Sequence, residues 1–223
     1  MRRALWKRLL LLRFQLLDRR RHRATQLETV AGEPILVLSD VFNPKLFWTG
    51  AFFAESLLAD ATLVPPGAAV LDMGTGSGVA AVFAARRARR VLGVDVNPRA
   101  VLSARINALM HGVDDRVEVR HGDLFGPVDG ERFDRVLFNP PFFRGQPRDT
   151  FERAFFATDV VERFAQSLGD HLAPGGQCLL VLSSSGDERE ILRAFEARGF
   201  ACELAAERDV RAEVLRLYRV TPR

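Results

Sequence analysis

Val70-Leu71-Asp72-Met73-Gly74-Thr75-Gly76-Ser77-Gly78 is the stretch that decides the fold. An aliphatic run leads into three glycines at alternate positions, and Val79-Ala80-Ala81-Val82 carries on beyond them. Glycines let a backbone turn sharply at a strand end, and the helix that follows presents free N–H groups. Outward from this point, apolar runs and amphipathic stretches alternate. Strands are predicted at 68–73, 90–95, 116–120, 133–138, 177–184, 200–206 and 213–220. Helices are predicted at 78–88, 98–111, 152–172 and 186–198. Such alternation means a parallel sheet covered by helices on both faces. Glu207-Arg208-Asp209 is expected to be the short loop between the last two strands. It leaves no room for a crossover helix, so those two strands must be antiparallel neighbours. The fold class is therefore α/β, a doubly wound seven-stranded, mostly parallel sheet with a C-terminal antiparallel hairpin.

Three strand ends carry acids, and a fourth carries an amide. Asp72 stands two residues before Gly74 and suits a cationic amine; it would repel a pyrophosphate. With the tight spacing of Gly74, Thr75, Gly76, Ser77 and Gly78, this favours S-adenosylmethionine over a dinucleotide. Asp95 ends the second strand of the alternation, about 20 residues past the glycines, where an acid accepts from ribose hydroxyls. Val96 follows it, and Asn97-Pro98 reads as a helix cap with proline in the first turn. His121-Gly122-Asp123-Leu124-Phe125 follows the third strand. There Asp123 can accept from an adenine amino group, and Leu124 can cover the ring. Val136-Leu137-Phe138-Asn139-Pro140-Pro141-Phe142 follows the fourth. Asn139 offers an amide oxygen, and Pro140 offers a carbonyl without an N–H. Two acceptors can hold both hydrogens of one –NH₂ group. A nitrogen held this way gains electron density and is aimed, which suits methyl transfer. Pro141 stiffens the turn, and Phe142 can stack on a planar substrate. Each string also has a plainer reading: a tight turn, an exposed strand-end charge, or a rigid proline turn. Their common register at one sheet edge is what favours chemistry.

The rest of the chain bounds the function. At 48% apolar and 27% charged residues, the 223 residues have the composition of an ordinary globular protein. No apolar run reaches the ~18 residues of a transmembrane helix. Cys178 and Cys202 match no metal spacing and read as buried thiols of a reducing compartment, so a cytoplasmic location is expected. His111 and His121 read as hydrogen-bonded structural histidines, and no metal is expected. The charge is uneven: residues 1–24 carry +8 of a total of +4, which leaves −4 for residues 25–223. Three units are expected: a basic amphipathic helix within 1–24, a hairpin and helix over 25–66, and the cofactor-binding core over 67–223. Leu5, Leu9, Leu12 and Leu16 put an apolar face on the first unit. That face would dock on the domain, touch ribosome, nucleic acid or an anionic membrane, or serve as a targeting peptide. Residues 26–30 and 34–38 read as strands around Ala31-Gly32-Glu33, and 49–61 as a helix stopped by Pro65-Pro66-Gly67.

Gly74–Gly78, Asp95, Asp123 and Asn139–Phe142 together resemble the class I methyltransferases with an Asn-Pro-Pro-aromatic motif. Within these, the chain looks most like the short HemK-like protein-glutamine N5-methyltransferases, over roughly residues 38–220. Asp40-Val41-Phe42-Asn43-Pro44 resembles that branch's Val-Tyr-x-Pro lead-in, and Leu182-Ser183-Ser184-Ser185 its fifth strand. The resemblance implies S-adenosylmethionine as cofactor, held by the glycine loop, Asp95 and Asp123, and a target nitrogen held by Asn139 and Pro140. Two departures stand out. Pro44 is followed by Lys45-Leu46-Phe47-Trp48 rather than by acids, so Thr49 alone is left as a match for the methionine end. Phe142 replaces the usual Tyr, as in guanine-N2 and some adenine-N6 enzymes. The expected activity is N-methylation of a planar amide or amino nitrogen, with a protein glutamine favoured by the mildly acidic domain. The alternatives are an RNA or DNA base reached through the basic segment, a small molecule, and a non-catalytic binding or assembly factor. Oligomeric state leaves no mark on the sequence.

Overall fold

The structure is a computed structural model and describes residues 24–141, 143–146, 154, 156–210 and 213–223. The basic helix expected within 1–24 and Phe142 of the fourth motif lie outside the described residues.

Strands β1 (Gln26–Val30) and β2 (Glu33–Val37) form an antiparallel hairpin through Ala31 and Gly32. Helix α1 (Thr49–Ala59) leads to the central sheet. Strands β3 (Ala69–Met73), β4 (Arg90–Asp95), β5 (Val117–His121) and β6 (Phe133–Phe138) alternate with helices α2 (Val79–Ala84) and α3 (Pro98–Met110). A two-residue pair, β7 (Phe143–Arg144) and β8 (Phe156–Ala157), follows. Then come α4 (Val160–His171), β9 (Leu172–Ser183), α5 (Glu188–Glu196), β10 (Phe200–Val210) and β11 (Glu213–Pro222). The main sheet has seven strands in the order β10-β11-β9-β6-β3-β4-β5. Only β11 runs against the rest, inserted between β9 and β10.

The two faces of the sheet follow from the two-residue repeat of a strand. On β9, Leu179 and Val181 face one core with Phe52, Phe53 and Leu57 of α1 and Ala104 and Ala108 of α3. Cys178, Leu180 and Leu182 face the other, with Phe164 and Leu168 of α4 and Ile191 and Phe195 of α5. Buried strands read as continuous apolar runs for this reason.

Three expected boundaries shift. The helix expected over 152–172 is observed from Val160. Phe156–Ala157 is in strand β8 instead, paired with β7. β9 begins at Leu172, not at 177, because Leu172 pairs with Phe133. A Cβ on Gly176 would lie 2.8 Å from Phe133 O, so only glycine lets the strands close there despite the Pro174-Gly175-Gly176 turn signal. Glu207-Arg208-Asp209 is not a loop. It continues β10, in register with Arg216, Leu215 and Val214. Glu207 pairs across the strands with Arg216 at 2.6 Å, and all three side chains are exposed on the sheet's edge strand. Charges that read as loop punctuation are here the guards of an edge strand.

A polar line on α3 holds the hairpin. Asn107, 0% exposed, accepts from Leu36 N at 2.8 Å and donates to Leu36 O at 2.7 Å. It also donates to Ser77 O at 2.8 Å. Ser103 Oγ donates to Leu36 O, and His111 Nε2 lies 2.7 Å from Pro34 O. The side chains of α3 thus stand in for a neighbouring strand along β2. Gly78 packs against the same helix: a Cβ there would lie 2.8 Å from Ala104. Replacing Asn107 by Ala strands Leu36 N and Ser77 O in the interior, while Leu36 O keeps Ser103 Oγ; each stranded group costs about 1–3 kcal/mol. The expected loss is about 3 kcal/mol, a fall in Tm of roughly 6–12 °C. Thermal unfolding followed by circular dichroism checks it, and a fall below about 2 °C would refute the brace.

Candidate functional site

The carboxyl ends of β3, β4, β5 and β6 open into one cavity of about 460 Å³, within the range of small-molecule sites. Open α/β sheets bind ligands at this edge, where the strand order reverses. Here the reversal lies between β3 and β6, beside the glycine loop.

Most residues singled out from the sequence meet at this cavity. Asp72, Gly74, Thr75, Gly76, Ser77, Asp95, Val96, Asp123, Leu124, Asn139 and Pro141 all line it. Three others do not. Gly78 is spent on the α2–α3 approach, Pro140 is buried beside the wall, and Thr49 is buried behind it. Phe142 lies outside the described residues. Several wall residues were not foreseen: Asp40, Phe42, Pro44, Gly50, Phe53, Phe138, Phe156 and Arg163. For Phe42 and Pro44 the lead-in motif was a usable signal. Arg163 had none, since only the packing of α4 brings it to Asp123, to which it donates in an ion pair.

The loop is shaped to leave room. Gly74 and Gly76 have φ of +67° and +56°, and beyond their chain neighbours the nearest atom to either Cβ position is Gly74 O, 3.9 Å from that of Gly76. Gly74 N and Thr75 N donate to Val94 O at 2.8 and 3.0 Å, which ties the loop to β4. Gly93 is needed there too, because a Cβ would press on Thr75 at 3.1 Å.

Two acids stand in the wall. Asp72, 4% exposed, accepts from Thr75 Oγ1 at 2.6 Å and from Ala81 N at 3.1 Å, both on Oδ2. Burial outweighs these bonds and raises its pKa from 3.8 to about 6. Asp95 accepts from Gly76 N on Oδ2 and from Asn97 N on Oδ1, each at 2.8 Å. Burial also pushes its pKa above the usual carboxylate range, although those bonds oppose it. Each Asp95 oxygen holds one N–H and keeps a lone pair. Asn97 caps α3 by accepting from Arg99 N and donates to Asp40 O, so the lead-in segment is fastened to the same corner.

Among the described residues, two buried side-chain oxygens have no partner: Ser77 Oγ and Asn139 Oδ1. Buried polar atoms are otherwise satisfied as a rule, so orphans in a cavity wall mark places for ligand groups. An open glycine cradle, two acids and two orphaned oxygens fit a ligand with a cation, vicinal hydroxyls and a planar amine. S-adenosylmethionine is such a molecule.

The Methyltransferase small domain family matches residues 37–206. A putative protein N5-glutamine methyltransferase of Methanocaldococcus jannaschii is 32% identical over 155 residues, covering 66% of this chain and 77% of its own length. The release factor glutamine methyltransferase of Cereibacter sphaeroides is 33% identical over 185 residues, covering 76% of this chain and 63% of its own. Among solved structures, the Thermus thermophilus 16S ribosomal RNA N2 G1207 methyltransferase, in complex with AdoMet and guanosine, superposes with a TM-score of 0.64. It is 22% identical and covers 89% of this chain and 50% of that one.

The raised pKa of Asp72 has a signature. Unfolded Asp72 releases its proton near 3.8, while folded Asp72 keeps it until about 6. The folded state binds more protons between those values, so stability falls as pH rises across them. Asp72→Asn cannot ionise and is expected to lose this fall. Its Tm should gain on the wild type from about pH 4 to about pH 6.5 in scanning calorimetry. A difference that stays flat with pH would rule out the buried, proton-holding Asp72.

Proposed function

The chain belongs to the Methyltransferase small domain family and is a methyltransferase, and from that premise we propose that it moves a methyl group from S-adenosylmethionine to the side-chain amide nitrogen of a protein glutamine. The observation that carries this is Asn139 Oδ1, a buried acceptor without a partner in the wall of the cavity.

When bound, S-adenosylmethionine supplies a methyl group on a sulfonium, the electrophile for a nitrogen lone pair. Gly74 and Gly76 give its body room, and the free lone pairs of Asp95 accept from ribose hydroxyls. Asp72 faces the cationic amine end, and Ser77 Oγ offers a polar partner nearby. Asp123, with Leu124 beside it, marks the adenine end. Its ion pair with Arg163, which also lines the cavity, places a cation beside the carboxylate at that rim. Asn139 Oδ1 accepts one hydrogen of the target –NH₂, and the Pro140 carbonyl is the proposed acceptor for the other. An amide nitrogen delocalises its lone pair into the carbonyl, and two acceptors on its hydrogens return density to it. The work of these residues is therefore orientation and electrostatic support. Pro141 lines the cavity where the planar group would lie, and a stacking role is proposed for Phe142 from its place in the motif alone.

The names of the relatives support glutamine as the acceptor. A base nitrogen of RNA is a second reading. It is favoured by the +8 charge of residues 1–24, whose grip on phosphates would weaken steeply with salt.

Methyl-labelled S-adenosylmethionine, the purified chain, a bacterial release factor and total ribosomal RNA test the proposal together. Label on a glutamine of the protein, mapped by mass spectrometry, is the expected result. Label in the RNA alone would overturn it in favour of the base. Asn139→Ala is expected to leave cofactor affinity within about threefold and to lower the transfer rate roughly a hundredfold. Asp95→Ala is expected to weaken cofactor binding by about 1–3 kcal/mol, measured by calorimetry. Unchanged affinity would remove Asp95 from the ribose.

A further inference from the structure

Thr49 was expected, from resemblance alone, to touch the methionine end of the cofactor. Its position points elsewhere. Thr49 is the first residue of α1 and is 0% exposed. Its neighbours Gly50 and Phe53 line the cavity, but Thr49 itself does not. Its hydroxyl faces the fourth motif, where Thr49 Oγ1 accepts from Asn139 Nδ2 at 3.3 Å, across 90 residues of sequence.

This contact engages one end of the Asn139 amide and leaves the other bare. Nδ2 has a partner, while Oδ1 is buried with none. The order matters for the chemistry. An amide turned by half a rotation would direct an –NH₂ at the target –NH₂, donor against donor, and the acceptor would be lost. The hydroxyl oxygen holds the amide's donor end; a flipped amide could accept from the Thr49 O–H instead, but only the observed orientation satisfies Thr49 and also leaves an acceptor for a target nitrogen.

The support behind Thr49 is stiff. Thr49 N donates to Phe47 O at 2.6 Å, and Ala51 N donates to Pro44 O at 3.2 Å. Gly50 lies so close to Pro44 that a Cβ would come within 2.6 Å of it. Phe52 and Phe53, the next turn of α1, are 2% and 1% exposed in the core. The lead-in segment and α1 thus form a fixed back wall, and the hydroxyl of Thr49 is its contact with Asn139.

We propose that Thr49 is a positioning residue for Asn139, orienting its side-chain amide so that Oδ1 faces the target nitrogen, and is not a cofactor contact. The proposal rests on the reading of Asn139 given above, and it separates from that reading experimentally.

Thr49→Val keeps the shape and removes the hydroxyl, whereas Thr49→Ser keeps the hydroxyl. With the acceptor found by labelling, Thr49→Val is expected to lower the rate at saturating cofactor by about ten- to a hundredfold, and Thr49→Ser to restore it to within about threefold. The Kd for S-adenosylmethionine, measured by calorimetry, should stay within about threefold in both. Weaker cofactor binding in Thr49→Val at an undiminished saturating rate would restore the cofactor contact and overturn the proposal. An undiminished rate in Thr49→Val together with a collapsed rate in Asn139→Ala would overturn the role of Thr49 alone. Undiminished rates in both would overturn the reading of Asn139. A second measurement needs no acceptor. The ¹⁵N side-chain amide signal of Asn139, assigned by its loss in Asn139→Asp, should show slowed proton exchange in the wild type. It should shift in Thr49→Val and return in Thr49→Ser. Fast exchange of both Asn139 amide protons in the wild type would overturn the proposal even if the valine variant fails to fold.

Discussion

Everything at the cavity depends on a buried amide that never reaches it. Asn107 joins the carbonyl of Ser77 in the glycine loop to both backbone groups of Leu36 in the hairpin. A loop of glycines has little side-chain packing of its own, and its conformation is costly in entropy. Fastening it from behind leaves its front free for a ligand. The same helix holds Asp40 through Asn97, so loop, hairpin and lead-in segment share one rigid support. The N-terminal hairpin is in this sense part of the site, although it contributes no residue to the cavity wall.

The electrostatics of the cavity are those of a receptor for positive charge and for donors. Asp72 and Asp95 are both destabilised as anions by burial. A carboxylate kept in that condition gains more from a cation or a hydroxyl than one in water does, because the desolvation cost has already been met by the fold. The protein's stability and its readiness to bind are then in opposition at these two residues, as is common where a site is prepared in advance.

The sequence revealed what is local and concealed what is made by packing. Asp72, Asp95, Asp123 and Asn139 were legible because each stands at or just past the end of a strand, which the fold class places at one edge. The two-faced sheet and the antiparallel ending were legible from alternation and from a short connection. Arg163 and the contact of Thr49 with Asn139 were not, since they join residues 40 and 90 positions apart through side chains with no periodic signature. Glu207-Arg208-Asp209 misled for a different reason. Exposed charges mark loops and edge strands alike, and only the ladder to β11 tells them apart. The Pro174-Gly175-Gly176 turn signal likewise hid the first residues of β9, where glycine serves closeness instead of turning.

The place of β11 has a consequence for how such a molecule is made. It is the last strand of the sheet in chain order, yet it lies between β9 and β10. During synthesis those two strands exist before the element that separates them. Until β11 is delivered, the inner edge of β9 has no partner, and β9 and β10 run parallel with a strand-wide gap between them. Direct pairing of the two is a ready error, and an open apolar edge invites other chains. The final closure is quick in local terms, because β11 begins only three residues after β10 ends and Glu213 pairs with Val210. A nascent chain of this topology is most exposed to misassembly just before that step.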